Sequence, residues 1–308
     1  MPTQRETLFV TGANGFVGKN ILEHFNEKYR IVAPSHSELD LLSQKDVQNF
    51  FRINHVDYVI NCATVGANRK NPIVPNTVEN NLRMFFNICE NAHFFKKMIH
   101  FGSGAEYNKD RMSPMVMEDA FGKFLPQDEY GFSKYAISKY IEESKNAYCL
   151  RLFGIFGRYE DYEFKFISNA IVKNLLHMPI TIVQNAFFDW LYIEDLMNIL
   201  DFFLKNAPPY RCYNTTTGKT IDLITIAKLI NKNSEYESEI MVQNENLNRE
   251  YSGSNHRLLS IIGEHEFTDI ELAIKKLQQF YKENLTKINR TFIEKDPYIK
   301  NCKILETQ

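Results

Sequence analysis

Thr7-Leu8-Phe9-Val10-Thr11-Gly12-Ala13-Asn14-Gly15-Phe16-Val17-Gly18 is the stretch whose reading decides the fold. An apolar run of strand length ends in glycines at 12, 15 and 18, and an amphipathic segment opens at once behind them. Glycine serves there for a tight turn, for close approach of a backbone to a pyrophosphate, and for packing of helix on strand. The first helical turn then aims unpartnered N–H groups at phosphate. A plain glycine turn between a strand and a helix is the alternative. The flanking pattern favours a dinucleotide site, with Gly12, Asn14, Gly15, Phe16, Val17 and Gly18 around the ligand.

Outward from that loop, short apolar runs alternate with helix-length amphipathic stretches, the signature of βαβ units. Strands are expected at Thr7 to Val10, Arg30 to Ala33, Tyr58 to Cys62, Met98 to Phe101 and Tyr148 to Phe153. Helices are expected at about Phe16 to Glu27, Asp46 to Ile53, Val78 to Ala92 and Tyr130 to Lys145. The fold class is therefore α/β: a doubly wound parallel sheet of Rossmann type with a smaller mixed α/β lobe. We divide the chain into a cofactor domain, 1–160, to which 187–213 returns, and a smaller lobe, 161–308. Helices near Phe164 to Leu176 and Asp269 to Asn284 belong to that lobe, and the polar stretch Lys287 to Gln308 has no clear assignment.

Charge nearly cancels, with 36 Lys and Arg against 38 Asp and Glu and no long basic run, so neither nucleic acid nor anionic membrane is the expected partner. The five cysteines, Cys62, Cys89, Cys149, Cys212 and Cys302, are scattered and include no Cys-x-x-Cys pair. That excludes a disulfide framework and a zinc site, and no metal is expected. The early apolar run leaves no room for a signal peptide, and no segment is apolar for long enough to span a bilayer. A cytoplasmic protein is expected.

Tyr130-Gly131-Phe132-Ser133-Lys134 places a phenol and an amine four residues apart on one helix face. A nearby ammonium favours phenolate, so Lys134 is expected to lower the pKa of Tyr130 towards useful acid/base strength. Ser103 follows the strand Met98 to Phe101, where a doubly wound sheet binds its ligands. Its hydroxyl is expected beside that of Tyr130, on the reacting oxygen. At the tip of the second strand stand Ser35, His36 and Ser37, with no acid before Glu38. NAD sites place a carboxylate at that tip, so its absence favours NADP(H) over NAD(H).

These residues, with Asp40-Leu41, Asn61-Cys62-Ala63, Tyr107, Arg151-Leu152-Phe153-Gly154-Ile155-Phe156-Gly157 and Phe188-Asp189-Trp190-Leu191-Tyr192-Ile193-Glu194-Asp195, resemble the extended short-chain dehydrogenase/reductase superfamily. The resemblance is to its nucleotide-sugar epimerase, dehydratase and reductase group, on the GDP-fucose-synthase-like branch, and spans nearly the whole chain. It implies catalysis by Ser103, Tyr130 and Lys134. Asp40, Leu41, Cys62, Ala63, Thr64, Asn81, Phe101, Phe153 and Ile155 join the cofactor set, Asn81 as a support for the lysine. It also implies a homodimer paired through the helices near 78–92 and 130–145.

Dehydratases of the group carry Asp and Glu directly after the serine, where this chain has Gly104 and Ala105. Epimerising synthases carry Cys at the second of these positions and a His from the second lobe; Ala105 holds no proton, and His177 stands out of register. What remains is hydride transfer at one carbinol or ketone carbon. We expect NADPH-dependent reduction of the C4 ketone of a nucleoside-diphosphate 4-keto-sugar, a deoxyhexose or heptose linked to GDP or CDP, in surface polysaccharide synthesis. An NAD-dependent 4-epimerase is the alternative, and a non-catalytic NADP-binding regulator comes third. Ser103, Gly104 and Ala105 are expected at the sugar, with Lys173, Arg211, Arg249 and Arg257 as cations for the diphosphate. Gly154 and Phe188 replace an Asn and an Arg that are common in the group.

Overall fold

The computed structural model describes residues 5–66, 74–263 and 265–300; Cys302 and the end of the polar tail lie outside them. The first half alternates strand and helix: β1 (Thr7–Thr11), α1 (Phe16–Phe25), β2 (Arg30–Val32), α2 (Gln44–Ile53), β3 (Tyr58–Asn61), α3 (Thr77–Cys89), β4 (Lys97–Ser103), α4 (Glu129–Glu142) and β5 (Ala147–Leu152). Then come β6 (Gly154–Phe156), α5 (Phe166–Leu175), β7 (Ile180–Gln184), β8 (Phe187–Tyr192), α6 (Ile193–Lys205), β9 (Cys212–Thr215), β10 (Thr220–Asp222) and α7 (Leu223–Lys232). The last elements are β11 (Ile240–Asn244), α8 (His256–Ile262), α9 (Ile270–Glu283), α10 (Arg290–Glu294) and α11 (Pro297–Lys300).

Six strands form one parallel sheet in the order β2-β1-β3-β4-β5-β9. Its interior strands alternate between two apolar layers, which is what helices on both faces require. Leu8 and Val10 of β1 enter one cluster with Ile21 and Phe25 of α1 and Leu196 of α6. Phe9, between them, enters the other with Val47 of α2, Phe85 of α3 and Ile137 of α4. The order reverses direction between β1 and β3, so the two following connections diverge and leave a crevice at the carboxyl ends.

Two smaller sheets complete the fold, β10-β8-β6 and β11-β7. Residues 187–213 supply β8 to the first of these, supply α6, which contacts α1 and β4, and reach β9 of the central sheet. The first apolar cluster continues without a break into α5, α7 and α9 and takes in Ile293 and Tyr298 of the terminal helices. The polar tail thus docks as far as residue 300, through Ile293 and Tyr298 with Ile288 and Ile299 packed against the same cluster. Among the described residues no helix is long and apolar enough to cross a membrane, and Cys62, Cys89, Cys149 and Cys212 are all free.

Where β4 meets β5, an ion pair lies inside the protein. Arg151 Nε donates to Glu106 Oε2 at 2.7 Å with both side chains almost fully buried. The guanidinium also sits 4.0 Å above the Phe121 ring. Gly102 makes room: a Cβ there would stand 2.3 Å from Glu106 Oε1 and 2.5 Å from Cys149 Sγ. Removing one partner of such a pair strands the other in a medium that cannot solvate it, so Glu106→Ala is expected to cost about 3–5 kcal/mol. Urea unfolding with an unchanged slope and a lowered midpoint is the readout.

Candidate active site

A cavity of about 1320 Å³ opens at the carboxyl ends of the central strands, at the β1/β3 crevice. Gly12, Asn14, Gly15, Phe16, Val17 and Gly18 line its floor. Gly12 has φ +61°, and a Cβ on it would lie 2.9 Å from Ala63 N. A Cβ on Gly18 would lie 2.4 Å from Gly12 O. Gly15 caps α1 without a side-chain hydrogen bond, and the first turn of the helix has no acid. Unpartnered N–H groups, no carboxylate and a backbone bare of side chains are what a pyrophosphate needs, so this cradle fits a dinucleotide.

Cys62, Ala63 and Thr64 form the wall opposite, and Phe101, Phe153 and Ile155 also line the cavity. Asn81 lies behind that wall rather than on it. Its Oδ1 accepts from Val65 N at 2.8 Å, and its Nδ2 donates to Val65 O and Ser133 Oγ, each at 3.0 Å. Ser133 Oγ in turn donates to Tyr130 O at 2.8 Å. Asn81 therefore ties the β3 exit to the start of α4, and its partner is not Lys134.

At the β2 tip, Ser35, His36, Asp40 and Leu41 line the cavity, while Ser37 bonds Ser35 Oγ at 3.0 Å. The tip is not free of acid. Glu38 folds back, and its Oε2 accepts from both Ser35 N and Ser35 Oγ at 2.7 Å. Those bonds hold its carboxyl below the usual range, so the tip presents an ionised group whose partner is the Ser35 hydroxyl.

Ser103, Tyr130 and Lys134 converge at the carboxyl end of β4. Ser103 ends the strand, and a capping box fixes it: its Oγ accepts from Ala105 N at 3.2 Å, and its N–H donates to Glu106 Oε1 at 2.8 Å. Asp128 caps α4 by accepting from Gly131 N at 2.8 Å, which sets the helix start and hence Tyr130. Lys134 is 3% exposed; its Nζ donates to Phe101 O at 2.7 Å and lies 5.9 Å from the Tyr130 ring centroid.

The electrostatics of this trio differ from the sequence expectation. Burial pushes the Tyr130 phenol up to about 12 against the lowering effect of its hydrogen bond with Ser103, and Glu106 and Asp128 raise it further. Lys134 does not lower it, because the amine points along Phe101 O instead of at the hydroxyl. Burial lowers Lys134 itself to about 8, while Cys149, Glu106 and Cys62 raise it. A hydrogen-bond chain ends on that amine. Ala63 N donates to Thr11 Oγ1, Thr11 Oγ1 to Asn61 Oδ1 and Asn61 Nδ2 to His100 Nδ1, and His100 Nε2 stands 3.5 Å from Lys134 Nζ.

Gly104 and Ala105 are buried beneath the trio and do not line the cavity. The four cations expected at the diphosphate lie elsewhere. Lys173 is buried against Asp296 at 2.8 Å. Arg211 covers the Tyr148 ring at 4.8 Å. Arg249 donates to Asp110 O, and Arg257 pairs with Asp119 at 3.1 Å. Each has a partner within the fold, three of them oxygen atoms and one a ring face. His177 stacks on Tyr236 at 4.3 Å, also away from the cavity.

In their place the outer cavity carries Phe164, Phe166, Phe188, Trp190 and Tyr298, with Lys109 and Lys165 among its lining and Glu160 buried in its wall. Tyr251 reaches the centre, its hydroxyl 3.5 Å from Ser103 Oγ. Sequence reasoning missed Tyr251, because a lone tyrosine in an aperiodic stretch gives no signal.

The model of the NAD dependent epimerase/dehydratase family matches residues 8–215. The chain belongs to that family. It is 25% identical over 303 residues to the GDP-L-colitose synthase of Yersinia pseudotuberculosis, covering 89% of this chain and 97% of that one. Its fold is shared with a GDP-mannoheptose C4 reductase from Campylobacter jejuni with NADP bound, at TM-score 0.76 and 18% identity over 90% of this chain and 98% of that one. A GDP-L-fucose synthetase from Naegleria fowleri bound to NADP superposes at TM-score 0.80 and 18% identity, over 94% and 96%. The family's members are enzymes of nicotinamide chemistry, and this chain is an enzyme of that class.

Two outcomes test the site. Gly18→Ala is expected to weaken binding of NADPH at least about tenfold, about 1.4 kcal/mol, in a fluorescence titration. Glu160 gives a pH test: burial pushes its carboxyl from 4.5 to about 8, so the folded chain keeps a proton that the unfolded chain releases earlier. Stability is then lost as pH rises from the first value through the second. Glu160→Gln is expected to melt like the wild type near pH 4 and above it near pH 9.

Proposed function

We propose that this enzyme uses NADPH to reduce the C4 ketone of a nucleoside-diphosphate 4-keto-sugar, a deoxyhexose or heptose carried on GDP or CDP. One observation carries the reading: beside the reacting centre stand hydroxyls and an amine, with Gly104 and Ala105 where other members place proton-transferring side chains. Chemistry is thereby confined to one C=O or CH–OH carbon. A phenol raised by burial is protonated at neutral pH, the form that gives a proton to a developing alkoxide. A fold neighbour named as a GDP-mannoheptose C4 reductase supports net reduction, and we rank the 4-epimerase second. A regulator without turnover has no need of the intact trio.

When bound, the nicotinamide supplies hydride to the ketone carbon. Gly12, Gly15 and Gly18 would hold its pyrophosphate, and the β2 tip its adenosine end. NADP(H) is the cofactor of the reading, as in the NADP-bound neighbours, with Ser35 and His36 at the phosphate once Glu38 has given up the serine. Ser103 donates to the ketone oxygen, Tyr130 donates to it and then protonates it, and Lys134 would hold the nicotinamide ribose beside them. The aromatic outer cavity takes the nucleotide by stacking. Relatives named for GDP sugars support that substrate class, and we assign surface polysaccharide synthesis as its setting. We place the enzyme in the cytoplasm as a homodimer paired through α3 and α4, where Phe86, Phe132 and Tyr140 stay exposed.

The test is loss of nicotinamide absorbance when NADPH and a panel of GDP-, CDP- and dTDP-linked 4-keto-sugars meet the purified enzyme. One sugar is expected to be consumed, and Tyr130→Phe to lose about 10²–10⁴ in rate. Turnover is expected to fall above about pH 8 as Lys134 loses its proton. Interconversion of 4-hydroxy sugars without net NADPH use would install the epimerase instead.

A further inference from the structure

We propose that Tyr251 is a catalytic residue of this reduction, its phenol donating a hydrogen bond to the oxygen of the carbonyl as that oxygen gains charge. The proposal rests on the ketone-reductase reading above and adds a residue to it.

The hydroxyl is placed by construction. The strap 248–254 is stitched along both edges. Tyr251 N donates to Phe187 O at 2.9 Å and Asp189 N to Tyr251 O at 3.2 Å, joining it to β8. Ser254 N donates to Val116 O at 2.9 Å and Met115 N to Ser252 Oγ at 2.7 Å, joining it to the 115–116 segment. The Tyr251 ring then lies against Phe153, centroids 5.2 Å apart. Two glycines admit this arrangement. A Cβ on Gly104 would stand 2.5 Å from Phe153 and 2.7 Å from the Tyr251 hydroxyl, and one on Gly253 would stand 2.6 Å from Phe153. The place beside Ser103 that a side chain at 104 would fill is thus taken by a phenol from the far end of the chain.

Proton counting assigns its role. Ser103 Oγ accepts from Ala105 N and shares a hydrogen bond with Tyr130, so a ketone oxygen entering between the two hydroxyls takes the Ser103 hydrogen in place of the phenol. Tyr251 lines the cavity, and among the described residues its hydroxyl meets Ser103 Oγ alone, at 3.5 Å, longer than a well-made O–H···O bond. Its proton is therefore available. Burial raises its pKa, so it stays a neutral donor. A ketone oxygen has two lone pairs, which Ser103 and Tyr130 satisfy; an alkoxide has a third. Tyr251 makes its bond as that third pair forms, an interaction stronger in the transition state than in the bound substrate. In the step, hydride joins the carbon, the carbonyl π pair moves to oxygen, and the Tyr130 proton follows it. The ketone is reduced and NADPH oxidised, while Tyr251 begins and ends as a phenol.

The experiment pairs steady-state kinetics with calorimetry on wild type and Tyr251→Phe, which keeps the ring. The ketone is the panel member that the wild type consumes, and its Kd is measured on enzyme without cofactor, where no turnover intervenes. The expected result is a kcat lower by about 10- to 100-fold with ketone Kd and melting temperature within about threefold and a few degrees of wild type. Gly104→Ala is the second variant: its Cβ meets the hydroxyl and is expected to lower kcat likewise, whether or not Tyr251→Phe folds. An unchanged kcat in either folded variant overturns the proposal, as does a kcat/KM loss matched by the rise in Kd, which is uniform binding. If the wild type consumes no ketone, the reductase reading falls and this assignment with it, before any variant is compared.

Discussion

Glu106 holds two things with its two oxygens: the backbone N–H of Ser103 at 2.8 Å and the guanidinium of Arg151 at 2.7 Å. Desolvating both charges is costly, and only good geometry with further hydrogen bonds offsets it. The geometry here includes Tyr107, whose hydroxyl accepts from Arg151 Nη1 at 3.2 Å and donates to Asn214 Oδ1 at 2.7 Å. Through these contacts the exits of β4, β5 and β9 become one rigid edge. Ser103, Phe101 O beneath Lys134, and the Phe153 ring under Tyr251 all sit on that edge. A looser joint would leave the hydroxyls at the centre free to drift by the fraction of an ångström that hydrogen-bond catalysis does not tolerate.

The parts legible in the sequence were those whose causes are local. A glycine at each third position of the first turn is required by contacts a few residues away, so pattern alone exposes it. Strand runs such as Leu8-Phe9-Val10 show themselves because burial on both faces leaves no polar position. What stayed hidden depends on partners far along the chain. Tyr251 meets Ser103 across 148 residues, and Lys173 meets Asp296 across 123. The Tyr130–Lys134 spacing correctly put both on one helix face but said nothing of where the amine would aim. Its rival acceptor, Phe101 O, belongs to another strand. Glu38 was misread for a subtler reason: an acid one turn past the strand tip folds back on Ser35 and is at the tip after all.

The outer cavity illustrates how composition misleads. A diphosphate suggests cations, and the sequence offers many, yet four of the strongest candidates are occupied by carboxylates, a carbonyl or a ring face. Aromatic side chains took the wall instead, through contacts such as Phe188 with Trp190 at 5.2 Å. Flat rings hold flat ligands without needing a charge match, so recognition at this end follows shape as much as sign.

The terminal helices join two properties in one short segment. Asp296 supplies the carboxylate to the buried Lys173 and also accepts from Thr181 at 2.9 Å; two residues on, Tyr298 packs on Phe166 and lines the cavity. One short segment therefore fastens α5 to β7 and closes the ligand's outer wall. Any change there moves robustness and substrate choice together. A laboratory wishing to widen the pocket would have to rebuild the ammonium's socket first, and a lineage drifting towards a bulkier sugar would meet the same coupling.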